Sequence, residues 1–174
     1  MALSFRNLDA ETRKEMLVEI EAAIPANDLY FSKRFTDEGT TAWPSLLQEA
    51  AREHDDHWLA YQLEASGHIK GLEGSRTPTG GYTTKHVPHT AAETMAEGQF
   101  NRYYMMGVCR RAISNGSGHV TVYRAKEVNN PRPESQAMID QQLNAEALLK
   151  QIRAVDTSLG HELLKPNSGL SVHL

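Results

Sequence analysis

The stretch TAAETMAEGQFNRYYMMGVCRRAISN, residues 90–115, decides the fold. Ala92, Met95, Ala96, Phe100, Tyr103, Tyr104 and Val108 recur at three-to-four-residue spacing, the pattern of a helix that buries one side. Thr90 and Glu93 have the separation of a capping box, and Asn115-Gly116 is a stop signal. The reading is a mainly α protein: a small helical bundle with this long central helix, a minor β element, a long loop and an extended C-terminal arm. Gly98 and Gly107 fall inside the helix, where each costs about 1 kcal/mol relative to alanine. Close approach of another backbone is the expected compensation, and a kink is the plainer alternative.

Upstream, Asp9 is placed to N-cap an amphipathic helix whose Met16, Leu17, Ile20 and Ile24 face inward, with Pro25 as its stop. Ala26–Thr41 shows no clear period. A second helix is expected to open at Pro44 and run to a stop near Gly67, with Leu47, Ala50, Ala51, His54, Trp58 and Tyr61 along one stripe. Downstream, HVTVYRA alternates β-branched and aromatic residues as a strand does. SQAMIDQQL has the look of a short helix, and NAEALLKQIRAV that of a last one, capped by Asn144 with Leu148, Leu149, Ile152 and Val155 inward.

A lone strand leaves backbone donors and acceptors unsatisfied, so HVTVYRA needs a partner. YTTKHV lies in the extended loop 66–89 of the helical domain 1–155 and GLSVHL in the C-terminal arm 156–174, so both candidates lie in the arms. Loops above about 12–15 residues without structure of their own are usually functional or partner-bound. Strand addition by an arm, chiefly to a neighbouring subunit, is the favoured expectation; docking on the chain's own strand and disorder are the alternatives.

Composition narrows the class. With 174 residues and a formal charge of −4, the chain suits one domain with appendages and lacks the basic excess of a protein that coats nucleic acid. Mean hydropathy is −0.52, on the polar side for this length. Cys109 is the single cysteine, which rules out an intramolecular disulfide and accords with a reducing compartment. No apolar run has the length of a membrane span, and early acidic residues argue against a signal peptide, so a cytoplasmic setting is expected.

Motifs with catalytic meaning are weak. His54 and His57 of HDDH share a helix side, and with His86 and His89 they would make four imidazoles, yet the spacing matches no metal motif. A packed or surface histidine is the better reading, and no cofactor is assigned. SRTPTGGYTTK lacks the order of a phosphate loop. Arg102, Arg110 and Arg111, with Arg124, Lys126 and Arg132, form the densest basic zone, interleaved by Tyr103, Tyr104 and Tyr123. Such a zone suits phosphate contact, but pairing across subunits with the acidic first helix, Glu15, Glu19 and Glu21, is the stronger reading.

Residues RTPTGGYTTKHVPHTAAETMAEGQFNRYYMMGVCRRAI, VYRAKEVNNPRPESQAMI and PNSGLSV together resemble a family of small proteins associated with bacteriophage and prophage gene sets. The likeness covers most of 76–174. It implies a virion component assembled in the host cytoplasm, of the head–tail adaptor or neck kind: a non-enzymatic subunit, ringed in many copies. Its neighbours would be portal or tail-proximal neck proteins, with incidental contact to packaged DNA and no membrane. The residues expected at contacts are Tyr82, Thr83 and Thr84 in the loop, Arg102, Arg110 and Arg111 on the helix, and Leu170, Val172 and Leu174 in the tail. The rival is a phosphodiester-acting enzyme or nucleic-acid-binding protein using Arg102, Arg110, Arg124 and the histidines.

Overall fold

The computed structural model describes residues 3–154, 162–165 and 167–174. In chain order come α1 (Ala10–Ala26), α2 (Asp37–Glu53), α3 (Asp56–Ala65), β1 (Leu72–Arg76), β2 (Tyr82–His86) and α4 (Ala91–Ser114). Then follow β3 (His119–Arg124), α5 (Pro133–Ala137), β4 (Gln142–Asn144), α6 (Ala145–Ala154), a 3₁₀ turn (Glu162–Leu164) and β5 (Leu170–His173). About 52% of the described residues are helical and the strands among them form two small sheets, so the protein is mainly α.

Asp9 caps α1 as expected, accepting the Thr12 N–H at 3.0 Å. Pro25 does not stop the helix. It lies one residue before the helix end, where few following turns are left to disturb, and termination falls to Asn27, whose φ of 58° turns its N–H onto the Ala23 and Ile24 carbonyls.

The single helix expected from Pro44 is two helices, with a different start. Thr36 accepts the Gly39 N–H at 3.0 Å, and Asp37 and Glu38 lie in the first turn, where carboxylates favour the helix dipole; Pro44 therefore sits inside α2. The break comes at His54-Asp55. Arg13 of α1 donates through Nη1 to the carbonyls of Ala50, Ala51 and His54 at 3.2, 3.1 and 2.7 Å, satisfying the end of α2 from outside. Asp55 then restarts the helix by accepting the Trp58 N–H at 2.9 Å.

The decisive stretch is one helix of 24 residues. Its buried side is wider than the predicted stripe, because Asn101, Arg102, Met105, Met106, Cys109 and Ala112 are covered as well. Thr90 makes no side-chain cap bond, so the capping box is not formed. The two glycines differ. A Cβ on Gly107 would stand 2.9 Å from the Thr12 carbonyl oxygen and 3.1 Å from the Met16 nitrogen, so α1 crosses there backbone to backbone. Gly98 has nothing within 4 Å and is compensated by no such approach.

β3 finds two partners in its own chain. The order is β4-β3-β5, antiparallel throughout, with Val120 opposite Leu143 and Val122 opposite Val172. The expectation of strand addition from a neighbour is thus corrected, and so is the pairing of YTTKHV with HVTVYRA, since YTTKH pairs with Leu72–Arg76 instead. Two features make self-docking the better solution. Leu170 and Val172 lose all exposure on the helices. Asn101 of α4 donates to the Leu170 carbonyl at 2.8 Å and accepts the Ser171 hydroxyl at 2.6 Å, which fixes the register of β5. Gly169, at φ 65°, opens the strand where a Cβ would stand 2.3 Å from the Lys126 oxygen.

Within SQAMIDQQL only Ser135–Ala137 remain helical, in α5; Asp140 then takes φ 65° and the chain enters β4, a strand the sequence pattern did not signal. Asn144 caps α6 by accepting the Ala147 N–H at 2.9 Å, with Leu148, Leu149 and Ile152 buried. Val155 lies outside the described residues, as do 156–161 and 166 of the expected arm. The described remainder of that arm packs on the body through Leu163, Leu170 and Val172.

Candidate interaction site

The residues expected at contacts separate into those drawn inward and those left outside. Arg110 donates to Glu15 at 2.5 Å and to Glu19 at 3.2 Å. Arg153 of α6 clamps the same Glu19 at 3.0 and 2.6 Å, so one carboxylate ties together α1, α4 and α6. Arg111 donates to both Asp9 oxygens, to Thr12 Oγ1 and to Glu11, at 2.7–2.9 Å. Pairing of this basic zone with the first helix is therefore present, but inside one protomer. Arg102 is 9% exposed; burial pulls its pKa down, and it donates to the Ile152 carbonyl at 2.9 Å near the end of α6.

The rest of the zone is committed in the same way. Arg124 donates to the Ser168 carbonyl and to Gln136 Oε1, at 2.8 and 2.9 Å. Lys126 bridges Glu93 and Glu97, and Arg132 meets Glu162 at 2.8 Å. Leu170 and Val172 are fully buried, which leaves them no side-chain surface to offer a neighbour; Leu174 remains 39% exposed. The single thiol, Cys109, is buried, and desolvation pushes its pKa up to about 12, so it is no nucleophile at neutral pH.

The histidines do not converge. His54 stacks on Trp58 with centroids 4.2 Å apart, His57 is exposed beside it, and His86 and His89 lie exposed on the hairpin and after it. Among the described residues, no group of three or more His, Cys, Asp or Glu side chains is arranged to hold a metal ion. No helix among them is long and apolar enough to cross a membrane.

What stands outside is the segment expected to be a loop. Thr77-Pro78-Thr79-Gly80 turns the chain with the Gly80 N–H on the Thr77 carbonyl at 3.0 Å. Proline presets the turn and Gly80 takes φ 86°. Thr77 Oγ1 accepts the Gly81 N–H at 2.9 Å, closing a hairpin with Leu72 opposite His86 and Arg76 opposite Tyr82. Alternation puts Leu72, Gly74 and Arg76 on one face with His86, Thr84 and Tyr82; Glu73 and Ser75 share the other with Lys85 and Thr83. Tyr82 is 76% exposed and Leu72 52%. Every residue of β2 is exposed.

The hairpin's base is held firmly. Phe35 bridges Ile69, the Thr36 N–H reaches the His68 carbonyl at 3.0 Å, and the Lys70 N–H reaches the Arg34 carbonyl at 2.8 Å. Gly39 makes this crossing feasible, since a Cβ there would stand 2.3 Å from the His68 oxygen. Arg34 grips Glu73 through two bonds of 2.6 and 3.0 Å, and Lys85 adds a contact at 3.3 Å. The Arg34 hydrogen bonds hold the Glu73 carboxyl below its ordinary range, so β1 is fastened by an ionised pair at neutral pH. At the tip, the Arg76 guanidinium lies 5.5 Å from the Tyr82 ring centroid and donates to its hydroxyl at 3.2–3.3 Å.

Of the loop residues singled out from sequence, Tyr82 and Thr84 share the outward face and Thr83 the opposite one. Sequence reasoning missed Leu72 and Arg76 on the same face, and Arg34 and Glu73 at the base. The turn signal TPTGG was legible; LEGSR, with a glycine at its centre, is a poor strand by composition and takes its register from the turn. Comparison with protein-family models, with curated proteins and with solved structures gave no match.

Proposed function

We propose that this chain is a structural subunit of a phage-type particle, placed at the head–tail junction, and that the hairpin Leu72–His86 is its contact element. The proposal takes the helices as a small bundle around long α4 that serves as a platform. The observation that carries it is the contrast between a body whose basic zone, Arg102 to Arg132, and final strand are engaged internally and a hairpin fastened at its base with an outward aromatic face. A two-stranded ribbon alone is marginal in water, and Leu72 and Tyr82 gain burial only against another surface. The resemblance to phage-associated proteins supports the setting, with portal or tail-proximal neck proteins as neighbours. In this reading the tail takes no part in contacts.

The test replaces 72–86 by a short Gly-Ser link. The expected protein keeps its helical circular dichroism and cooperative melting but no longer copurifies with particles from a producing host, as read by mass spectrometry, whereas the full chain does. Absence of the full chain from the particles, or normal incorporation of the hairpin-less one, refutes the assignment.

A further inference from the structure

Resting on that assembly reading, we infer that the hairpin's occupant is a second copy of this chain, received in the cleft around Tyr61 on α3. Tyr61 is 62% exposed and lies where two clefts meet. One is lined by Glu53, His54 and Trp58, the other by Asp56, Ala60 and Glu64, with His57 common to both. Glu53 and Glu64 are exposed and join no ion pair among the described residues. Asp56, also at this cleft, is 1% exposed, and its Oδ2 accepts the Leu3 N–H at 3.0 Å, so the negative charge offered to a partner comes from the exposed Glu53 and Glu64.

The hairpin carries the complement. Glu73 is neutralised by Arg34 and Lys85, while Arg76 pairs with no carboxylate among the described residues and lies over Tyr82 as a cation on an aromatic plate. Arg76 and Tyr82 against Glu64, Glu53 and Tyr61 match charge to charge and ring to ring. Tyr61 and Tyr82 make no ring contact with each other within the protomer. Hairpin and cleft are different surfaces of one chain, so the contact is head-to-tail and propagates to a ring or an open filament.

Light scattering after size exclusion reads the test, with melting curves as the folding control. The wild-type chain self-associates. Arg76→Glu and Glu64→Arg each weaken self-association by about tenfold or more, the loss of a charge pair worth about 1.4 kcal/mol, and the two together restore most of it. A mixture of Tyr82→Ala with Tyr61→Ala gives a one-to-one complex and nothing larger, since one intact hairpin meets one intact cleft. A wild-type chain that stays monomeric, single variants that leave its size unchanged, or a charge swap without rescue overturns the inference. If the chain is monomeric while particle incorporation still needs the hairpin, the second copy is wrong as occupant and the assembly reading survives.

Discussion

Asn101 is the residue on which the seating of β5 turns, and its removal has a calculable effect. The side chain is 7% exposed, donates to the Leu170 carbonyl at 2.8 Å and accepts the Ser171 hydroxyl at 2.6 Å. Asn101→Ala orphans both groups beneath a strand whose Leu170, Ser171 and Val172 are fully buried. Each orphan costs about 1–3 kcal/mol, so the combined loss is about 2–4 kcal/mol after partial relaxation. Ser171→Ala alone leaves only Asn101 Oδ1 unmatched and costs about 1–2 kcal/mol. Because the double variant contains a single orphan, the Leu170 carbonyl, it is no less stable than Asn101→Ala. This non-additivity is the signature of a shared network. Urea unfolding monitored by circular dichroism, with a common slope, reads all three free energies. Hydrogen exchange at 170–173 adds the local view: protection that is unchanged on dilution and falls in Asn101→Ala. A loss below about 0.5 kcal/mol, strictly additive costs, or protection that disappears on dilution would show that β5 is not held by this contact in its own protomer.

Two further outcomes follow from the same geometry. Gly98→Ala stabilises by about 0.5–1 kcal/mol because open space surrounds the new methyl, whereas Gly107→Ala destabilises by about 1–3 kcal/mol by forcing α1 off α4; thermal melts of the pair give opposite signs. Asp9→Ala loses the cap of α1 and the Arg111 pair, at a cost of about 0.5–2 kcal/mol at neutral pH. Burial opposes ionisation of Asp9, but the Thr12 N–H and the Arg111 guanidinium outweigh it and lower its pKa below the ordinary 3.8. The contribution is therefore complete above that value and fades as pH falls through the lower folded-state one, so wild-type and variant stabilities converge in that acid range. Denaturant curves across the acid limb check this.

What could be read in advance was local. The periodicity of 90–115, the cap at Asp9 and the cap at Asn144 declare themselves within a few residues of where they act. The division between α2 and α3 did not, because half of its cause is Arg13, which lies 37 to 41 positions from the carbonyls it satisfies. Asp55 carries the other half, but it falls within the helical stripe read from Leu47 to Tyr61, whose unbroken spacing conceals a restart. β3 was recognised and GLSVHL was one of its two candidate partners, but the protomer supplying it was not legible, since GLSVHL offers a neighbour the same alternating edge that it offers its own strand. Only Asn101, aligned in space with Ser171, distinguishes the two. Likewise the pairing of Arg110 and Arg111 with the first helix was a correct inference of chemistry, and backbone contact at Gly107 is what brings α1 close enough for it to occur within one molecule.

The position of β3 between β4 and β5 has a bearing on how the chain reaches its native state. Its final partner comes from the far end of the sequence and rests on α4, so that pairing can form only after the helices have condensed. Until then the run Val120–Tyr123, apolar on alternate positions and lacking charge, waits with an unpaired edge. Nascent or heat-stressed molecules therefore have a defined window of vulnerability to aggregation, and mutations that slow the closing step lower soluble yield out of proportion to their effect on equilibrium stability.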